Sequence, residues 1–182
     1  VLLLGLASVV WVAGRGKFGS LDSDTHRPTG AARSSESITS RISTQTAAAR
    51  EIGAPSPAHQ ILFGDLHVHT TISFDAFMLN LPLMGGEGAH PPADACDFAR
   101  HCAALDFWSI NDHAANIHPD DWKNTIAGIR ECNARSGDPD SPDMVSFLGW
   151  EWTQAGRTPG EHYGHKNVVL AHTDDARIPT RP

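Results

Sequence analysis

From residue 61 onward, short apolar runs alternate with amphipathic stretches, and that order limits the folds open to the chain. ILFGDLHVH (61–69), LDFWSIND (105–112), DMVSFLGWEWT (143–153) and HKNVVLAH (165–172) read as strands. PPADACDFARHCAAL (91–105) reads as a helix opened by its prolines, with Ala95, Phe98 and Cys102 near one face. PDDWKNTIAGIRECNARSG (119–137) reads as a second helix, with Trp122, Ile126 and Ile129 as its stripe and Gly137 as its stop. FMLNLPLMGGEGAHPP (77–92) reads as a surface loop. Strands alternating with helices imply parallel pairing and an α/β architecture. Four strands with two clear helices make a partial sheet or half a barrel.

The region before residue 61 has a different texture. Residues 1–14, VLLLGLASVVWVAG, carry no charge and are followed by the basic GRGK pattern. They read as a signal peptide or an N-terminal membrane anchor, or else as a buried core element. The first two predict an exported protein, periplasmic or extracellular. Residues 15–60 read as a disordered polar linker: ARSSESITS and STQTAAAR are rich in Ser, Thr and Ala, and GAPSPAHQ adds Pro and Gly. That leaves 61–182 as the folded domain.

The formal charge is −7, unevenly spread: residues 1–60 carry +2 and residues 61–182 carry −9. A body this acidic is a poor nucleic-acid binder, because phosphate contacts need clustered Lys and Arg. An acidic, His-rich body suits cations. The three cysteines, Cys96, Cys102 and Cys132, form no CxxC pair, so a cysteine zinc site is not expected. In an oxidising compartment Cys132 could pair with Cys96 or Cys102; otherwise all three read as small buried hydrophobes.

Chemistry concentrates at strand ends. His67 and His69 are two residues apart on a strand and face one way, which aims two imidazoles at one point. Asp112 and His113 follow the second strand, and Glu151 closes the third on a face shared with Val145, Phe147 and Gly149. A buried Glu without a cation is costly, and the nearest basic residue in sequence is Arg157. His and carboxylate side chains recurring at the C-terminal ends of strands, where α/β folds place their sites, point to a metal centre. His165 is the fourth-strand candidate. It precedes its apolar run, so His172 at the other end is the rival. Asp65 could orient a ligand histidine or merely form a turn after Gly64. Asp75 could return to the site from the following loop. Glu151 and Asp112 are the candidate catalytic carboxylates, and Asp112 could instead orient His113. Glu161 and His162 read as loop residues, and His26, His59, His90, His101 and His118 as surface positions.

DLHVHTTISFDA, SINDHA, GWEWT and GHKNVVL resemble successive motifs of the PHP (polymerase and histidinol phosphatase) family, and residues 61–182 resemble an uncharacterised exported branch of PHP-like proteins. The resemblance implies a distorted (β/α)7 TIM-like barrel holding two or three divalent metals, Zn, Mn or Fe. It implies that His67, His69 and Glu151 bind one metal, that Glu151 bridges to a second shared with His165, and that His113 and Asp75 serve a third. It implies hydrolysis of a small-molecule phosphoester by a metal-activated water. The alternatives are an amide or lactone hydrolase and a metal-binding domain without turnover. It also implies further ligands from a C-terminal half, so the chain reads as an N-terminal fragment.

Overall fold

The computed structural model describes residues 2–14, 27–54, 59–86 and 90–182. Residues 15–17 of the GRGK pattern, His26 and parts of GAPSPAHQ and of the 77–92 loop lie outside the described residues. The element order is α1 (Leu2–Gly14), α2 (Ser35–Glu51), β1 (Gly64–Val68), α3 (Phe74–Leu79), α4 (Pro92–Asp97), β2 (Phe107–Ile110), α5 (Pro119–Ala134), β3 (Val145–Gln154) and β4 (Gly164–Leu170), with short 3-10 turns at Pro82–Met84 and Ala114–Asn116.

The four strands form one sheet in the order β1-β2-β3-β4. β1–β2 and β2–β3 pair in parallel, as expected, but β4 runs antiparallel to β3, against the expectation of parallel pairing throughout. The reason lies in the connection. Residues 155–163 contain no helix, and a short link without a crossover can return the chain only antiparallel. The sheet curls into a half-barrel, so that Asn167 Nδ2 of β4 donates to Leu66 O of β1 at 2.8 Å. At Gly149 the neighbouring strands crowd in from both sides: a Cβ there would meet Val168 O of β4, with Ile110 O and Ser109 Oγ of β2 at 3.0 Å. A complete barrel is not present in the described residues.

The core lies between the convex face of the sheet and helices α4 and α5. Trp108, Ile110 and Leu148 from the strands pack with Cys96, Trp122, Ile129 and Cys132 from the helices. α5 begins at Pro119, with Asp121 Oδ2 accepting from His118 N at 2.9 Å, and ends near Gly137, whose φ is +81°. The first predicted helix differs from expectation. It runs as α4 and then a wider π turn, Phe98–Cys102. Its buried face is Ala93, Cys96, Ala99 and Arg100, whereas Phe98 and Cys102 are exposed. An ion pair turns it: Arg100 and Asp143 are both fully buried, with Nε 3.2 Å from Oδ2, which draws the arginine inward and leaves the phenylalanine out. Cys96 and Cys132 form a disulfide, with Cα atoms 6.2 Å apart, and Cys102 is free.

Residues 27–51 correct the linker reading. α2 is a 17-residue helix whose cap Ser34 accepts from Ser37 N at 3.2 Å. It lies over the N-terminal ends of the strands, on residues that precede β2 and β3. Arg41 Nε meets Asp106 Oδ1 at 3.2 Å, and Gln45 donates to Asp106 Oδ2 at 2.7 Å. Both Arg33 and Arg41 donate to Asp143 O. Upstream, Thr29 and Gly30 donate three hydrogen bonds to Asp97 at 2.8–3.0 Å. These bonds are polar, so hydrophobic patterning could not announce them. α1 sits against α3, its Trp11 ring edge-on to Phe74 with centroids 6.0 Å apart. Among the described residues, no helix is long and apolar enough to cross a membrane.

Candidate metal centre

The candidate residues converge at the C-terminal ends of the parallel strands, opposite α2. His67 and His69 close β1, and their Nε2 atoms are 2.9 Å apart. Such a distance suits two ligands aimed at one point. Glu151 lies in β3, 2% exposed, its backbone N–H bonded to Asp112 O beyond the end of β2. Its two oxygens face four imidazoles. Oε2 lies 2.8 Å from His113 Nδ1 and 3.2 Å from His69 Nε2, and Oε1 lies 2.9 Å from His165 Nδ1 and 3.6 Å from His67 Nε2. Among the described residues, no Lys or Arg lies within ion-pair distance of it, and Arg157 is exposed.

The reversed β4 settles the choice between His165 and His172. The start of an antiparallel strand lies beside the end of its neighbour, so His165 pairs with Thr153, two residues past Glu151. His172 follows Leu170, which pairs with Leu148 at the opposite end. Thr153 Oγ1 lies 3.1 Å from His165 Nδ1.

Asp75 returns to the site from the first turn of α3. Its Oδ2 is 3.1 Å from His113 Nε2, and its Oδ1 is 3.9 Å from His69 Nδ1. Burial by itself would raise the Asp75 pKa, but hydrogen bonds from His113 and from Ala76 N–H bring it below the ordinary carboxylate value. His69 is displaced in the direction that favours a neutral ligand. Burial lowers its pKa, the Asp112 carboxylate opposes this, and the His113 imidazole adds to the lowering.

The two remaining carboxylates support the site without entering it. Asp112 was a candidate for catalysis, but its carboxylate is buried and committed. Oδ1 accepts from Thr70 N, Ser73 N and Ser73 Oγ, and Oδ2 from Thr70 Oγ1, at 2.7–3.2 Å. Ser73 Oγ also lies 3.0 Å from His113 N, which it accepts. Asp112 therefore fixes the turn that leads into Asp75 and the backbone that carries His113. The contact Asp65 makes is to backbone: its Oδ1 accepts from His67 N at 2.9 Å and shapes the strand that carries the imidazole. Sequence reasoning missed Thr70 and Ser73. Ser73 precedes α3 as a capping residue should, yet its hydroxyl serves Asp112 instead.

Three overlapping groups could each hold a metal ion: His67–His69–Glu151, His113–Glu151–His165 and His69–Asp75–His113. In each, the ligand atoms lie within 4.8 Å of one another. The donor set fits a divalent cation. Imidazole nitrogen and carboxylate oxygen are the ligands such ions take, and a buried carboxylate ringed by imidazoles lacks a fixed positive charge. A cavity of about 890 Å³ opens beside His67 and His69.

Comparison with known proteins matches residues 56–117, about a third of the chain, to a family described as Protein of unknown function (DUF3604). No curated protein and no solved structure matches. The matched span holds His67, His69, Asp75 and His113 but ends before Glu151 and His165. These findings overturn the PHP resemblance: the matching family carries no assigned function, and nothing found links the chain to PHP proteins. The grouping of ligands therefore stands on geometry alone.

Proposed function

We propose that this chain carries the metal centre of a metal-dependent hydrolase acting on small-molecule esters, with phosphoesters as the first class to test. The observation that carries the reading is the buried Glu151 carboxylate, divided between four imidazoles with no Lys or Arg among the described residues to neutralise it. Two or three divalent ions, Zn, Mn or Fe, would take the three ligand groups, with Glu151 common to two of them. Bound there, they supply Lewis-acid chemistry, which polarises a substrate oxygen and brings the pKa of a water towards neutrality.

The protein residues hold this arrangement in register. Glu151 spans the two groups that contain His67 and His165. Asp75 supplies an anionic oxygen next to His113. Asp112, through Thr70 and Ser73, keeps His113 and Asp75 at fixed separation. The half-exposed side chains of His67 and His165 leave the outer side of the centre open to a substrate.

Export belongs to the same proposal. The Cys96–Cys132 disulfide suits an oxidising compartment, and the uncharged apolar helix α1 suits a targeting segment or an anchor.

The test is hydrolysis of phosphate monoesters and diesters by the chain loaded with Mn or Zn, alongside amide and lactone substrates. Phosphoester turnover that chelation abolishes is the expected result. Turnover confined to amides or lactones would move the substrate class, and stoichiometric metal with no turnover would contradict the enzyme.

A further inference from the structure

The cavity beside His67 and His69 has a lining that says what can occupy it. Its described wall includes the carboxylates of Asp65, Asp94 and Asp97, the imidazoles of His90 and His101 beside those of His67 and His69, the apolar side chain of Phe98, and no Lys or Arg. Asp97 is spent on Thr29 and Gly30. Asp65 accepts one backbone N–H, and Asp94 Oδ2 lies 3.4 Å from His90 Nδ1. Phe98 follows Asp94 by four residues, one helical turn, and is 63% exposed. The arginine of the same turn does not compete, because Arg100 is fully buried on Asp143. An exposed aromatic residue in a wall with carboxylates, and with no Lys or Arg among the described lining residues, is chemistry that recognises an ammonium group. The carboxylates of the same wall disfavour an anion.

We propose that this cavity receives an organic cation, an amine or quaternary ammonium group carried by the substrate, while the bond to be broken lies at the His67 and His69 end. This inference rests on the hydrolase reading for its place in the reaction, but the cavity can be tested without turnover. None of the six candidate metal ligands lies in α4, whereas Asp94 and Phe98 stand on the exposed face of the α4 region. Their replacement therefore leaves both the core and the centre in place.

The experiment is calorimetric titration of the intact, metal-free and zinc-loaded chain with phenyltrimethylammonium and with benzenesulfonate, two probes of similar size and opposite charge. The expected result is that the cation binds and the sulfonate binds at least about tenfold more weakly to the metal-free chain. Asp94→Asn and Phe98→Ala should each weaken the cation by about tenfold with zinc stoichiometry unchanged. Equal or tighter binding of the sulfonate to the metal-free chain, no binding of the cation, or indifference to both substitutions would overturn the proposal. Cation binding without ester turnover contradicts the hydrolase alone. Turnover without charge discrimination contradicts this cavity alone.

Discussion

At the scale of the residue, the centre depends on side chains that touch no ligand position. Asp112 is buried, takes four hydrogen bonds and sets both His113 and the turn before Asp75. Partners of this kind typically change metal affinity ten- to a hundredfold. Asp112→Asn should therefore lower zinc affinity by about tenfold or more while all six candidate ligands remain. Competition titration with a chromophoric chelator reads this directly, and an unchanged affinity would show that Asp112 serves folding only. The histidines and Glu151 were legible because each stands at a strand end in the sequence, and Asp75 because it lies in the segment that follows the first of them. Thr70 and Ser73 were not, because a small hydroxyl residue in a loop gives no sign of the carboxylate it will meet 39 to 42 positions later.

At the scale of the element, two attachments hold the helices to the sheet. The disulfide ties α4 to α5 across 36 residues, and the loop-closure argument gives about 4 kcal/mol for a link of that span. Reduction should lower the melting temperature by on the order of 10 °C. Thermal melts followed by circular dichroism with and without reductant check this, and coincident curves would mean that core packing alone sets the stability of these helices. The second attachment is the arm from Thr29 to α2. Burial would raise the Asp97 pKa, but hydrogen bonds from Thr29 and Gly30 outweigh it and hold the pKa below the ordinary value. A depressed carboxylate stabilises the folded state above its unfolded pKa, and this is lost as pH falls through the lower folded value. The arm should therefore become more open to protease below about pH 4, the ordinary carboxylate range. At neutral pH, Asp97→Asn should increase cleavage near residues 27–34. Mass mapping of limited digests reads both effects, and an arm equally resistant in the variant would mean that Arg33 and Arg41 suffice.

The strands were legible as short apolar runs, and the α5 stripe from its helical period, because Trp122 and Ile129 go into the core. The direction of β4 was not, since an apolar run has no polarity of its own. The signal was the missing helix between residues 154 and 164. Nor could periodicity find α2, whose contacts are Arg and Gln on carboxylates. In the α4 region it chose the wrong face, because Arg100 goes inside with Asp143 and Phe98 stays out.

At the scale of the whole molecule, the curl of the sheet makes the site. β1 and β4 would stand three strands apart on a flat sheet, yet Asn167 reaches Leu66 and His165 reaches the carboxylate that His67 and His69 also face. One end of the half-barrel is closed by α2 and its arginines, and the other gathers imidazoles around Glu151. That division places fixed positive charge at the far end and leaves the acidic body to attract cations to the open one.

The central claim is that Glu151 is a ligand common to more than one metal ion. Elemental analysis of the zinc- or manganese-loaded chain, wild type beside Glu151→Gln, tests it most directly. Two or more ions per chain in the wild type, falling to one or fewer in the variant, is the predicted result. Equal metal content in the two proteins, or none retained by the wild type, would contradict it.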